Sequence, residues 1–502
     1  MNKSRWLRVS LVVIGLLWGF GLRLDVPRLR ASGPDEVLGM NAAERLHWRR
    51  EWLRGPTVTP TATPTSPASP TPPAPPPPTA TPVPTATPAP PGPPEAVRLE
   101  LAGPMAARPA QHPPEWLIPD SEFVDGPTAV NFDSRAYIEA FPGYLKRHVE
   151  KVDGVDRDGP EIIDLIARRY SVHPRLLIAL LEWKGGWLTK DEVPPIERDY
   201  AFGMQAVWAK GLYKQLEWVA NYMNAGYYAA TQRNYVQVLF LDSWRAKGPD
   251  GLNQGTYGLS YFLARMSKQA DWDAQRAPDS PFMQVYRRLF GDPWRRAYEP
   301  LLPAALKAPA LKMPWAAGET WWYTGAPHGG WGAGSAWGAI DFAPGTTEDK
   351  SGCWDASAWW VRAAANGPIV VSDYGEVMQD LDGDGRLETG WLLIYNHIAR
   401  KDSIQAGAVV KAGTPLGHPS CEGGWSSGTH VHLARRYNGV WIASNGPQSI
   451  PFIISGWLVG TYGVDYKGTL TRQGDPTRIA VPWRVPGQND LQSDNAVGVA
   501  QR

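Results

Sequence analysis

Several things are scarce in this chain. Of its 502 residues only two are cysteine, Cys353 and Cys421, which leaves room for one disulfide at most. Neither sign of charge dominates: the net charge is +1, so there is no electrostatic case for nucleic acid as the main partner. Long apolar runs are almost absent. One runs from Val9 to about Leu22, short of the roughly 20 residues that a membrane span needs. Between Pro56 and Pro94 there is no charged or aromatic residue and almost no large apolar side chain. Such a stretch cannot bury a core and reads as an extended, polyproline-II-like linker, with a reach on the order of 100 Å.

What is present divides the chain, which is too long for one compact domain. Residues 1–30 carry Lys3, Arg5 and Arg8 ahead of the apolar run, the pattern of a signal peptide or, if uncleaved, of a signal anchor that would make the membrane a partner. Either way the remainder is expected to be exported. In that compartment an even cysteine pair suggests one disulfide, with two free buried thiols as the alternative. Residues 31–55 form a short connecting segment before the linker over 56–94.

Residues 95–310 read as mostly helical. Helices are expected over about 160–170, from Pro174 onward, and around 214–224, 234–246, 255–265 and 281–289. From about Met313 short β-type runs separated by turn residues take over, so 311–455 reads as an all-β, antiparallel domain. Residues 456–502 read as a partly ordered tail. Most of the 25 tryptophans are expected to fill cores.

Histidine is sparse, nine in all, yet four fall in one β-region constellation. "GTHVHLARR" places His430 and His432 two apart on a strand, so both point to one face while Val431 and Leu433 point to the other. "PHGGWGAGSAWGAIDFAP" places His328 on a Gly-rich loop and Asp341 on a short strand. "LLIYNHIA" ends a strand at His397. Imidazole and carboxylate suit Zn²⁺. No H-E-x-x-H helix is present, which excludes a thermolysin-like arrangement. His418, in "PLGHPS", reads as a solvent-facing turn residue.

The order of histidine, aspartate, "YNH" and "GTHVH" over residues 320–445 resembles the lysostaphin-type zinc endopeptidases. The thirteen-residue step from His328 to Asp341, and Cys421 nine residues before His430, resemble the beta-lytic endopeptidase branch, where a disulfide braces the site. The resemblance implies His328, Asp341 and His432 as zinc ligands. It implies His397 and His430 as catalytic groups that do not bind the metal strongly.

Two further motifs stand apart. "QDLDGDGRLETGW" begins like a calcium loop at Asp380, Asp382 and Asp384, but Trp391 stands where such a loop has its bidentate Glu. Calcium is a candidate there, and a polar hairpin tip that binds nothing is the alternative. "IARRYSVHPRLLIALLEWKGGW" resembles the opening helix pair of lysozyme-like lytic transglycosylases, with Lys184 where those enzymes carry their glutamate. Glycoside cleavage needs a carboxylic acid, and Glu182 lies on another side of the helix. The resemblance thus implies a helical lysozyme-like domain that lacks its catalytic acid and serves to hold glycan, the alternative being a helical domain with no glycan role.

The expected architecture is therefore multidomain, a helical lysozyme-like domain followed by an antiparallel β metallopeptidase domain. The expected function is an exported zinc metalloendopeptidase that cuts peptide bonds in peptidoglycan stems or cross-bridges. The alternatives are a non-enzymatic wall-binding or regulatory protein, and a protease of Gly-rich proteins.

Overall fold

The computed structural model describes residues 112–229, 237–345, 352–444 and 449–494. The expected signal segment 1–30, connecting segment 31–55 and linker 56–94 lie outside the described residues. Among the described residues no helix is long and apolar enough to cross a membrane.

Proline and capping side chains set the helix starts. Helix α1 (Gly159–Tyr170) has Pro160 in its first turn and a reciprocal cap. The Asp158 carboxylate accepts from the Glu161 amide while the Glu161 carboxylate accepts from the Asp158 amide. Two otherwise orphaned N–H groups are thereby satisfied. Helix α2 (Pro174–Gly185) starts after a short turn, and His173 Nδ1 accepts from the Arg175 amide at its first turn. It ends at Gly186, whose φ of 72° is the left-handed conformation that glycine adopts freely. Helices α3 (Leu212–Tyr227), α4 (Gln254–Arg265) and α5 (Pro281–Phe290) complete the region's core around Leu177, Met223 and Phe262.

The helix expected over 234–246 does not form. Gln237–Leu239 and Arg245–Lys247 pair instead as a hairpin, and 234–236 lie outside the described residues. Ser243, at φ 66°, donates its amide to the Phe240 carbonyl and closes a tight turn that a helix lacks.

The β region is built on strands β1 (Thr320–Gly329), β2 (Trp337–Pro344), β3 (Gly367–Asp373), β4 (Gly375–Asp380), β5 (Trp391–Ile398), β6 (Val409–Val410) and β7 (Val431–Tyr437). The expected tail adds β8 (Trp457–Val464), β9 (Lys467–Thr471) and β10 (Asp490–Gln492). It is thus an integral part of the domain: Trp457, Val459, Leu470 and Leu491 are buried in its core. The main sheet is antiparallel, in the order β6-β3-β4-β5-β7-β2-β1-β10, with Val440–Trp441 also paired to β7.

The two-residue strand period gives this sheet two different faces. Val377, Leu393, Tyr395, Val431, Leu433, Ile340 and Phe342 face a core that contains Trp315 and Trp321. Met378, Leu392, Ile394 and Ala434 face the other way and join the core of the helical region. The junction is also polar. Trp441 donates its indole N–H to the Tyr170 carbonyl (3.3 Å) and its amide to the Tyr228 hydroxyl (2.9 Å). Asp373 pairs with Arg157 and Arg168 at 3.1 and 2.9 Å. Arg169 pairs with the fully buried Glu376, and donates to the Tyr213 hydroxyl at 2.7 Å.

Removing one member of a buried pair leaves the other charged and desolvated. Glu376→Ala should therefore lower the unfolding free energy by about 3 to 5 kcal/mol in chemical denaturation. A loss below about 1 kcal/mol would show that water reaches Arg169 freely.

Candidate metal centre

Asp341 on β2 and His432 on β7 are direct cross-strand partners. Each alternates with residues that face the apolar core, so both side chains fall on the opposite face, on the helical region's side of the sheet. His328 reaches them from β1, whose pairing with β2 shifts register between Gly325 and His328 and re-aims the strand. His397 sits in a register shift of β5 at φ 65°. A histidine in the left-handed region is uncommon, and here the bulge turns its ring toward the other three. His430 immediately precedes β7 and bridges to Ser420. The five expected site residues therefore converge, and all are buried or nearly so.

One feature unites the four imidazoles. Each points one ring nitrogen at a backbone carbonyl: His328 Nδ1 at Ala326 (2.8 Å), His432 Nε2 at Gly330 (2.9 Å), His397 Nδ1 at Glu422 (2.8 Å) and His430 Nδ1 at Gly428 (2.8 Å). A carbonyl only accepts, so each of these nitrogens carries the proton. The opposite nitrogens are left with lone pairs directed into the site. His328 Nε2 and His432 Nδ1 lie 3.0 Å apart, and Asp341 Oδ1 lies 3.3 and 3.2 Å from them. His430 Nε2 is 3.6 Å from the same oxygen. The His397 and His430 rings are 4.4 Å apart, and His397 stands 6.1 Å from His432.

Electrostatics follow from this crowding. Burial disfavours the Asp341 charge, but the His328 and His430 imidazoles outweigh it and hold the carboxyl well below the ordinary carboxylate range. Burial likewise works against a charged His328, and Asp341 overrides it and raises the imidazole's pKa. Burial, with His430 and His432 as neighbours, pushes His397 well below the usual imidazole value. His397 is therefore a neutral base at pH 7.

The donor set fits a metal ion. Asp341 Oδ1 is buried and accepts no well-formed hydrogen bond, and the two nearest nitrogens turn lone pairs toward it. One ion can meet all three atoms, which lie within 4.8 Å of one another. Two imidazoles and a carboxylate suit zinc, and three protein ligands leave a coordination position open.

The surrounding segments hold this geometry. Cys353 and Cys421 form a disulfide that ties the loop bearing Glu422 and Gly428 to residues 352–354. Thr429 reinforces the tie, donating its amide to the Gly352 carbonyl and accepting from the Trp354 amide. Gly325 is required by close approach, since a Cβ there would lie 2.3 Å from Asp341 Oδ2.

Two expectations need correction or comment. His418 is buried rather than solvent-facing: its Nδ1 donates to the Trp359 carbonyl and its ring packs on Trp360. Asp380, Asp382 and Asp384 do cluster within 4.8 Å at the tip between β4 and β5. Asp380, however, already accepts from the amides of Asp382, Gly383 and Gly385.

The family model described as LasA, N-terminal domain, matches residues 116–305. Protease LasA of Pseudomonas aeruginosa (strain UCBPP-PA14) is 27% identical over 366 residues, spanning 69% of this chain and 79% of the relative. The chain is similar to protease LasA over 69% of its length. Its helical region thus corresponds to the LasA N-terminal domain over the matched residues. Among solved structures, the deep-sea M23 metalloprotease pseudoalterin aligns with 36% of this chain and 99% of its own, at 26% identity and a TM-score of 0.27. The antimicrobial peptidase lysostaphin from Staphylococcus simulans aligns with 36% and 93%, at 17% identity and a TM-score of 0.18.

No sequence pattern marked Tyr466, between β8 and β9, whose ring stacks on His328 at 4.1 Å. Nor did any point to the four orienting carbonyls, because a backbone oxygen has no residue type to recognise. Gly325→Ala should displace Asp341 and abolish stoichiometric zinc binding, measured by metal analysis after dialysis, while the protein stays folded by circular dichroism. Full zinc content in that variant would mean that β1 can yield.

Proposed function

We propose that this LasA-like metallopeptidase is an exported endopeptidase of peptidoglycan, cutting peptide bonds in stems or cross-bridges. The observation that carries the reading is the convergence of three ligand atoms and two further imidazoles, each fixed by a backbone carbonyl. His328, Asp341 and His432 would hold zinc through Nε2, Oδ1 and Nδ1. Zinc, when bound, supplies Lewis-acid chemistry that polarises a carbonyl and acidifies water.

The remaining steps belong to the chain itself. His397, neutral and pinned through Nδ1, presents its Nε2 lone pair to take the proton of the attacking water. His430 is pinned through Nδ1 to the Gly428 carbonyl, with Ser426 Oγ 3.3 Å away. In its protonated form its Nε2–H can stabilise the developing oxyanion. The two rings are close enough to share proton traffic, so the leaving amine can be protonated from the same pair.

The helical region supports binding or positioning rather than glycoside cleavage. Glu182 accepts from the Leu188 and Thr189 amides and the Thr189 hydroxyl, and pairs with Arg288 at 3.3 Å. A carboxylate so engaged is not free to meet a glycosidic oxygen. The basic and apolar N-terminus, outside the described residues, supports export. Calcium at the Asp380 loop is the finer cofactor proposal. It would show as a Ca²⁺-dependent rise in melting temperature that Asp382→Asn removes.

Digestion of purified peptidoglycan followed by mass spectrometry tests the function. New peptide termini are expected with the wild type and none with His432→Ala. No new termini with zinc-loaded wild type would sink the peptidoglycan reading, and new reducing or anhydro sugar ends would overturn the account of Glu182. The division of roles is tested separately. His432→Ala should lose zinc, whereas His430→Ala and His397→Ala should keep zinc and lose at least 100-fold in kcat, the scale of acid–base assistance. Equal zinc loss in His430→Ala would contradict it.

A further inference from the structure

The two imidazoles assigned to proton handling, His397 and His430, are fastened to one short segment. Ser420 donates its amide (2.7 Å) and its hydroxyl (3.1 Å) to the His397 carbonyl. Its own carbonyl accepts from the His430 amide at 3.3 Å. Two residues on, the Glu422 carbonyl accepts from His397 Nδ1, and the Glu422 amide donates back to Ser420 Oγ at 3.0 Å. Residues 420–422 therefore hold the backbone of both histidines and the ring of one. Cys421 stands at the centre of that triplet and is bonded to Cys353.

The far end of the same loop returns to the same anchor. Thr429 lies between His430 and Gly428, whose carbonyl orients the His430 ring. Thr429 is buried, and its amide donates to the Gly352 carbonyl at 3.0 Å. Its hydroxyl accepts from the Trp354 amide (2.8 Å) and donates to the Trp354 carbonyl (2.9 Å). One side chain thus serves one residue of the anchor as both donor and acceptor. Residues 352–354 grip the loop at two points, one beside each ring.

The loop needs holding from outside. Gly423 and Gly424 lie between the two grips at φ 79° and 106°, where glycine is free and other residues are strained. Such a stretch orders itself only at a high entropic cost. The candidate zinc ligands are set by other means. Asp341 and His432 face each other in the β2–β7 ladder. The carbonyls that orient His328 and His432 belong to Ala326 on β1 and to Gly330 just beyond it.

We propose that the 352–354 segment is a positioning element for the two proton-handling imidazoles, acting through the Cys353–Cys421 disulfide on His397 and through Thr429 on His430, while zinc binding is set elsewhere. The inference rests on the metallopeptidase reading. Neither Thr429 nor the disulfide meets the reacting atoms. Each acts through a backbone carbonyl, on Glu422 or Gly428, that fixes which ring nitrogen offers its lone pair. A misplacement of about 1 Å in a reacting group can cost about 100-fold in rate. Each variant removes one hold of several, so about tenfold is expected.

The test uses the full chain. Thr429→Val keeps the shape and loses both hydroxyl bonds. Its kcat on soluble peptidoglycan fragments should fall about tenfold, with KM little changed and wild-type zinc affinity in chelator competition. Thr429→Ser keeps the hydroxyl and should recover most of the rate. The Cys353→Ser/Cys421→Ser pair should show the same split. Nitrogen-15 NMR of histidine-labelled protein reads orientation without activity: His397 should carry its proton on Nδ1 alone in wild type and share it between both nitrogens in the serine pair. Melting curves establish folding. Wild-type kcat in Thr429→Val, a Thr429→Ser as slow as Thr429→Val, or zinc affinity falling in step with kcat overturns the proposal. Should the serine pair fail to fold, the two Thr429 variants decide it. A wild type that cuts no peptide fails the underlying metallopeptidase reading, and the His397 proton then decides this inference by itself.

Discussion

The candidate metal centre depends on four bonds from imidazole N–H groups to backbone carbonyls. An imidazole has two nitrogens, and only one can present a lone pair to an ion or a proton. Ala326, Gly330, Glu422 and Gly428 decide which one for His328, His432, His397 and His430. The choice differs between the two histidines that meet Asp341: His328 offers Nε2 and His432 offers Nδ1. That difference follows from strand geometry. His432 stands opposite Asp341 in the ladder, so its nearer nitrogen already lies beside the carboxylate. His328 arrives from a bulged strand and reaches over with its far nitrogen.

The orienting carbonyls sit on three segments, and each segment is secured in a different way. Ala326 belongs to β1, and its amide bonds to the Tyr466 carbonyl at 3.4 Å. Glu422 and Gly428 lie on the loop tied by the Cys353–Cys421 disulfide and by Thr429. Gly330 lies on a loop that leans on α3 and α1. A candidate site that looks local, its candidate ligands on three adjacent strands, therefore draws on a disulfide, a C-terminal hairpin and a separate helical region.

This is also why the sequence was legible in some places and not in others. Residue type carries the ligand chemistry, and the strand period carries its facing. His430 and His432, flanked by Val431 and Leu433, declared their shared face, and so did Asp341 between Ile340 and Phe342. Proline marked the start of the helix at Pro174. The failures share a cause. The run 234–246 has helix-forming residues, but its Asp242–Ser243 turn and the burial of Val238 and Phe240 settle it as a hairpin. The stretch after Ser455 is polar on average, yet alternate residues such as Trp457, Val459 and Leu470 are buried against the core. His418 looked exposed because turns usually are, and only the packing of Trp360 shows otherwise. In each case tertiary contact overrode a local pattern.

The sequence resemblance of the helical region to lysozyme-like enzymes takes on a different meaning beside the sheet. Lys184 in place of an acid reads, by itself, as the loss of a catalyst. In the folded chain the α1 end of the region carries Arg168, Arg169 and Tyr170, and all three are committed to the sheet. Arg436 on β7 returns the contact by donating to the Arg168 carbonyl. Arg436 is four residues from His432 on the same strand, so the strand that carries His432 is clamped by the helical region at its other end. A surface used this way is not open to a glycan at that point. The helical region therefore has a structural role that needs no glycosidase activity: it covers an apolar sheet face that would otherwise be exposed.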